Sequence, residues 1–330
     1  MCRHRRPLLD HLSSFGAHKS TLTRLLSTRP AKMAMTGPDA VGDFQNYLQK
    51  STRVMCLLGA GLSASSGLPT FRGAGGLWRS HDAVSLASPE AFARDPALVW
   101  RFYSYRRKMA LKANPNAAHF ALAELARRLP GFVALSQNVD HLSPRAGHPR
   151  ENLHLLHGTL FEVRCNDPNE RCGYVSENFD DPITPALHIP DGQDPTSTEA
   201  RARDISDASE PLPDITSEDL PHCPKCTKHL LRPNVVWFGE RLPGKVLDAV
   251  DEYLEARQKI DLIMVIGTSA VVYPAAGFIP QARANAVQMC PLLVLIGIFR
   301  GARVCVVNTD PNDSPPDGWQ DGDWFFEGWD

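Results

Sequence analysis

Four cysteines fall in two close pairs, Cys165 with Cys172 and Cys223 with Cys226, spelling C-x6-C and C-x2-C. Four thiolates closing on one Zn2+ make a structural site with no open position for water. A metal held this way supports the fold and does no catalysis. Cys223-Pro224-Lys225-Cys226 has the spacing of a zinc knuckle. The first pair is wider, and free thiols or a redox pair are the competing readings. Cys56 and Cys305 lie inside apolar runs and read as core residues.

Gly59-Ala60-Gly61-Leu62-Ser63-Ala64 fits G-x-G-x-x-A. Such glycines let a backbone turn tightly and approach a pyrophosphate. A dehydrogenase would add an acidic residue about 20 positions on, at the end of the next strand. Here that region reads Arg72-Gly73-Ala74-Gly75-Gly76-Leu77-Trp78, a glycine-rich loop. A dinucleotide is therefore bound in another manner, and hydride transfer loses ground. His154 and His157 flank Leu155 and Leu156. A lone histidine beside apolar residues is more often a hydrogen-bonded core group than a catalyst, and only its wider context raises His157.

These groups need a scaffold. Four short apolar runs, Val54–Leu58, Phe132–Leu135, Leu262–Ile266 and Val304–Val307, read as strands buried on both faces of a parallel sheet. After Pro115-Asn116, Leu122, Leu125 and Leu129 give a helix one apolar face. The strand ends carry Gly59-Ala60-Gly61, Gln137-Asn138-Val139-Asp140, Gly267-Thr268-Ser269 and Asn308. Ligands of open α/β sheets bind at carboxyl strand ends, so one shared pocket is expected.

At 330 residues, with 43% hydrophobic and 22% charged residues, the chain can fill a core and is not globally disordered. Lys+Arg 35 against Asp+Glu 37 argues against a nucleic-acid partner held by phosphate contacts. Pro291–Phe299 is far short of the ~20 apolar residues of a membrane helix. Residues 1–35 are Arg-rich, Ser-bearing and acid-poor, which reads as a mitochondrial transit peptide, a disordered tail, or sequence ahead of a start at Met33 or Met35. Residues 176–220 are acidic and proline-bearing and read as a loosely ordered surface insertion.

Taken in order, Gly59-Ala60-Gly61-Leu62-Ser63, Gly67-Leu68-Pro69-Thr70-Phe71-Arg72-Gly73, Gln137-Asn138-Val139-Asp140, His157-Gly158, the two cysteine pairs, Val235-Val236-Trp237-Phe238-Gly239-Glu240 and Gly267-Thr268-Ser269 closely resemble the sirtuins. The resemblance runs from about residue 40 to the end. It implies an α/β fold: a Rossmann-like parallel sheet with helices on both faces (about 40–70, 130–160 and 230–330) plus a small helical and zinc-binding domain (about 71–125 and 161–229). The implied activity is NAD-dependent removal of acyl groups from protein lysines. Gly59, Ala60, Gly61, Ser63 and Arg72 would line the NAD site, with Gln137, Asn138 and Asp140 around the nicotinamide ribose. Gly267, Thr268, Ser269 and Asn308 would meet the adenosine half. His157 would be the general base, a task that suits an imidazole. In the family mechanism the acyl oxygen attacks the ribose, nicotinamide leaves, and the products are lysine and O-acyl-ADP-ribose. Val235, Val236, Trp237, Phe238, Gly239 and Glu240 would take up the substrate peptide as an added strand.

Tyr103 and Arg106 are spaced i, i+3 and share a helix face. A phenol beside a guanidinium can bind a carboxylate through charge-assisted hydrogen bonds. This pair is similar to the Tyr-x-x-Arg of the class III, desuccinylase-type sirtuins, and Ala87 matches the small residue that widens their acyl pocket. The resemblance then implies succinyl-, malonyl- and glutaryl-lysine substrates, a mitochondrial matrix location (cytoplasm or nucleus as alternatives), a monomer, and no nucleic-acid or membrane partner. The sequence departs from the family twice. Asn285–Phe299 intervenes before the strand at Val304, and the family's closing helix does not follow Phe325–Gly328. The alternatives are a deacetylase, a mono-ADP-ribosyltransferase, and an inactive protein that binds NAD or acyl-lysine.

Overall fold

The computed structural model describes residues 33–70, 77–78, 81–189, 214–289 and 301–328. Helix α1 (Pro38–Lys50) precedes β1 (Arg53–Leu58); the ribbon β2 (Leu77–Trp78) and β3 (His81–Asp82) leads to α2 (Ala83–Leu86), α3 (Pro89–Arg94), α4 (Pro96–Lys112) and α5 (Ala117–Arg128). Then come β4 (Gly131–Ser136), α6 (Leu142–Arg145), β5 (Leu153–Leu155), β6 (Gly158–Cys165), β7 (Val175–Glu177) and β8 (Leu231–Val235). The chain closes with α7 (Gly244–Glu255), β9 (Leu262–Ile266), α8 (Phe278–Met289), β10 (Arg303–Asn308) and β11 (Trp324–Glu327).

All four apolar runs are strands of one parallel sheet, ordered β11-β10-β9-β1-β4-β5. Alternation divides its side chains between two cores. Met55, Leu57, Val133, Ile263, Val265, Val304 and Val306 face α7 and α8 through Val250, Leu254, Phe278 and Ile279. Val54, Cys56, Leu58, Phe132, Ala134, Met264 and Cys305 face α1 and α5 through Ala40, Phe44, Leu122 and Ala126. Each large apolar side chain so buried contributes roughly 1.5–3 kcal/mol. Every strand position therefore needs an apolar residue, which is why these segments read as unbroken hydrophobic runs.

A third core joins α2, α3 and α4 to the antiparallel sheet β7-β6-β8, around Phe92, Trp100, Phe102, Tyr103, Phe161, Val163 and Trp237. The helices start where their caps dictate. Ser88 Oγ accepts from Ala91 N at 3.2 Å, Asp95 Oδ1 accepts from Leu98 N at 2.8 Å, and Pro89 and Pro96 supply pre-set first turns.

One expectation needs correction. The acidic stretch is not loose where it is described: β7 pairs with β6, and Leu187, Ile189 and Leu220 are buried. The reason lies on α4, whose buried Arg107 and Lys108 need acceptors. Arg107 Nη2 donates to the carbonyls of Asn178 at 3.0 Å and Asp180 at 2.9 Å, and Lys108 Nζ donates to Ile189 O at 2.9 Å. Residues 190–213 lie outside the described part. Helix α8 runs on to Met289 and so takes in the first residues of the segment that intervenes before β10. Asn285 is buried; its Oδ1 accepts from Ile260 N at 3.1 Å, and its Nδ2 donates to Leu254 O at 2.7 Å and Ala256 O at 3.2 Å. It ties α8 to the connection from α7 into β9. Residues 290–300 and the N-terminal residues 1–32 lie outside the described part. No helix among the described residues is long and apolar enough to cross a membrane.

Asn285→Ala strands one buried amide and two carbonyls. It is expected to lower the unfolding free energy by about 1–3 kcal/mol, measured by urea denaturation. An unchanged midpoint would show that water replaces the amide without cost.

Candidate active site

In this sheet the chain moves from β1 to β4 and β5 on one side and returns to β9, β10 and β11 on the other, so the order reverses between β1 and β9. A crevice opens at such a switch point. Here the two turns meet backbone to backbone. Gly59 N donates to Ile266 O at 2.9 Å and Gly61 N donates to Gly267 O at 2.9 Å. Gly267 has φ +63°, and a Cβ on it would lie 2.2 Å from Leu62 N. A Cβ on Gly61 would lie 2.8 Å from Gly267 Cα. The G-x-G reading thus acquires a second physical reason, the contact between two strand ends. A seven-residue 3-10 helix, Ala60–Ser66, follows Gly59.

The polar residues of the neighbouring strand end are fixed against this turn. Asn138 Nδ2 donates to Gly59 O at 3.0 Å, and Gln137 Nε2 donates to Thr268 Oγ1 at 3.2 Å. Ser63 Oγ donates to Asp140 Oδ2 at 2.6 Å, and Asp140 Oδ1 accepts from Leu142 N at 2.8 Å. Asn308, at the end of β10, is bonded to Asp313. Thus Gly59, Ala60, Gly61, Ser63, Gln137, Asn138, Asp140, Gly267, Thr268, Ser269 and Asn308 gather at the carboxyl ends of β1, β4, β9 and β10; Arg72 lies outside the described residues. These glycines, amides and hydroxyls are the donor set a dinucleotide's phosphates and riboses require, so the residues present fit NAD.

Two members escaped the sequence reading. His119 is buried with Nε2 3.4 Å from Ser63 Oγ, and burial holds its pKa below the ordinary imidazole value. Asn116 caps α5 and also donates Nδ2 to Leu62 O at 2.8 Å and Ser65 Oγ at 2.8 Å. The cap at Pro115-Asn116 was visible as a helix start. Its second bond, to a loop some fifty residues earlier, had no local signal.

His157 lies between β5 and β6. Its Nδ1 is 3.0 Å from Gln137 O, and a carbonyl only accepts, so Nδ1 carries the proton and Nε2 keeps its lone pair. Burial lowers the His157 pKa, and the bond to Gln137 acts in the opposite sense. A neutral imidazole with an available nitrogen is what general base work needs. Gly158 after it has φ +73°, where a Cβ would meet Asn234 O at 2.0 Å. The glycine is what lets β6 and β8 close beside the histidine.

Tyr103 and Arg106 share one face of α4, with Tyr103 buried and Arg106 half-buried. Burial pushes the Tyr103 phenol up to about 12, with Arg106 pulling the other way. Burial also draws the Arg106 guanidinium below its ordinary value, opposed by Tyr103 and Asp140. Ala87 is buried, and its carbonyl accepts from Phe238 N at 2.9 Å.

Within 235–240, Val235 closes β8 against Gly158, Val236 N donates to His157 O at 2.9 Å, and Gly239 turns at φ +90°. Phe238 is 46% exposed, whereas Trp237 is buried and Glu240 is half-buried in an ion pair with Arg232 at 2.6 Å. The side chains of Trp237 and Glu240 face the protein and Val236 packs against the core under α7 and α8, which leaves Phe238 as the exposed side chain of the segment.

Cys165, Cys172, Cys223 and Cys226 bring their Sγ atoms within 4.8 Å of one another, with Cys165–Cys226 and Cys172–Cys223 each at 3.6 Å. Zn–S bonds of about 2.3 Å give a tetrahedron with edges of roughly 3.8 Å, so the four thiols fit zinc. The knuckle forms because Thr227 N donates to Cys223 O and Cys223 N to His229 O, both at 2.9 Å.

Sheet, switch-point cluster and thiol tetrahedron define a dinucleotide-binding α/β protein with a zinc module. A family model described as the Sir2 family matches residues 59–274. An NAD-dependent protein deacylase of Candida albicans is 40% identical over 87% of this chain and 92% of its own length. The mitochondrial NAD-dependent protein deacylase sirtuin-5A of Xenopus laevis is 46% identical over 78% of each chain. A solved Sir2 homologue in complex with NAD superposes with a TM-score of 0.61 at 34% identity, over 88% of this chain and 89% of that one. The chain belongs to the Sir2 family.

Metal analysis should find about one zinc per chain, as four-thiolate coordination implies. Cys223→Ser should lose the metal together with thermal stability. A metal-free protein that keeps its melting temperature would refute the assignment.

Proposed function

We propose that this chain removes succinyl, malonyl and glutaryl groups from protein lysines in preference to acetyl. As a Sir2-family NAD-dependent protein deacylase it uses NAD as co-substrate and carries a structural zinc. The observation that carries the acyl preference is Tyr103 and Arg106 on one face of α4, close enough for the guanidinium to act on the phenol, with Ala87 buried in the same core as Tyr103. A carboxylate entering there meets a desolvated guanidinium and a phenol that stays protonated at working pH. Charge-assisted bonds in such surroundings are roughly twice as strong as neutral ones. An acetyl group offers Arg106 no carboxylate, and sites built to bind a polar group discriminate against analogues that lack it.

The strand-end residues, with Arg72, hold NAD in this reading; when bound it supplies the electrophilic ribose carbon and the nicotinamide leaving group. Ser63 accepts from Asn138 and donates to Asp140, so these polar atoms need little reorganisation when a ligand enters. His157 receives a hydroxyl proton at Nε2 while Nδ1 stays bonded to Gln137 O. The substrate peptide lies along the segment Val235–Glu240 as an added strand, on the side where Phe238 is exposed. A mitochondrial matrix location is favoured by the Arg-rich segment 1–35 and by the mitochondrial designation of the Xenopus laevis relative.

Nicotinamide release from matched succinyl- and acetyl-lysine peptides tests the reading. Arg106→Met should lower kcat/KM for the succinyl peptide roughly 10- to 100-fold, the worth of a charged hydrogen bond, and affect the acetyl peptide far less. Equal losses would remove the carboxylate clamp.

His157→Ala should cost about 10²–10⁴-fold in turnover and leave zinc content unchanged. Burial favours the neutral imidazole, so the active form persists as pH falls. The acid limb of kcat/KM should then have its midpoint below the ordinary histidine value of about 6.5. A midpoint above it would remove His157 as the titrating base.

A further inference from the structure

The Trp237 indole makes a contact that its place in the peptide-binding segment does not explain. Its Nε1 donates to Tyr103 Oη at 2.8 Å inside the third core, with Trp237 1% and Tyr103 2% exposed. We propose that Trp237 is a specificity-determining positioning residue, whose indole N–H fixes the Tyr103 hydroxyl so that its own proton points to the acyl carboxylate beside Arg106. The inference rests on the carboxylate-clamp reading above.

A phenolic oxygen has one proton to give and lone pairs to receive. Indole N–H is a donor only, so Tyr103 must accept from Trp237, and its single O–H is directed elsewhere. Burial holds that phenol protonated. Tyr103 thus adds a neutral donor beside the guanidinium, and a carboxylate meets two donors of different kinds.

Trp237 is itself anchored on three sides. Glu240 Oε2 accepts from its backbone N at 2.8 Å, the Arg232 guanidinium carbon stands 3.1 Å from its ring centroid, and Phe92 lies against it at 5.3 Å. Glu240 in turn bridges Arg232, at 2.6 and 3.0 Å, and Arg164, at 3.1 Å. An ion-pair network thereby holds an indole, the indole holds a phenol, and the phenol faces the acyl group. Binding groups whose own rotamers are locked by neighbours lose less freedom when ligand arrives.

Trp237→Phe keeps a ring and removes the N–H. The ratio of succinyl to acetyl kcat/KM is expected to fall about tenfold, mainly through a higher KM for the succinyl peptide. In a Tyr103→Phe background the same change should lower the ratio no further, because the two residues act through one hydrogen bond. Arg106→Met, assayed alongside, separates the two readings. If it lowers the ratio while Trp237→Phe does not, the positioning role is overturned and the clamp stands; if neither lowers it, the clamp fails and takes this inference with it. Should Trp237→Phe not fold, the Trp237 Nε1–H NMR resonance serves instead. It should shift in Tyr103→Phe and on addition of succinyl-lysine peptide, and a resonance unmoved by that peptide overturns the proposal.

Discussion

The site depends on two strand ends touching through backbone alone. Gly59 and Gly61 after β1 meet Gly267 after β9, and at Gly61 and Gly267 an added Cβ would collide with main-chain atoms of the opposite turn. Side chains normally keep neighbouring turns apart; here their absence brings the two loops into hydrogen-bonding range. Asn138, bonded to Gly59 O, and Gln137, bonded to Thr268 Oγ1, add the end of β4 to the same assembly. The crevice is thus bounded by atoms that cannot easily move, because the strands behind them are buried on both faces.

From this contact the chemistry divides into two halves. On the sheet side, polar groups are few, bonded to one another and arranged around the strand ends. On the helical side, a phenol and an indole are packed in an apolar core, with the half-buried Arg106 guanidinium on the same face of α4 as the phenol. His157 stands at the join. Its proton is fixed by a carbonyl of the β4 end, and its own carbonyl binds Val236 of the segment that carries Trp237. The four thiols sit at the far end of the β7-β6-β8 sheet, where Cys165 closes β6 opposite Leu231 of β8.

Much of this was legible in one dimension. Strands buried on both faces need apolar residues at every position, so β1, β4, β9 and β10 were visible as runs. Zinc needs four thiolates, and a knuckle needs two of them three residues apart. The tight turn demands glycine. Such requirements act locally and leave residue types at fixed spacing. β11 and β7 were not legible, since short strands at a sheet edge carry neither a full apolar run nor strict alternation. The acidic stretch misled because composition registers charge and proline but not the backbone carbonyls that Arg107 and Lys108 of α4 recruit from it.

The sequence by itself determined the family, the parallel sheet, the four cysteines that can hold a metal, and the histidine, tyrosine and arginine to which the proposed reaction and selectivity are assigned. Each is a choice of side-chain chemistry that few other residues could make. Only the tertiary structure decided which way those groups point. That Asn285 belongs to the core, that His119 reaches Ser63, and that Trp237 turns inward to Tyr103 are contacts between segments distant in sequence. Hydrogen-bond direction is set by which donor meets which acceptor in space, and spacing along a chain carries no record of that meeting.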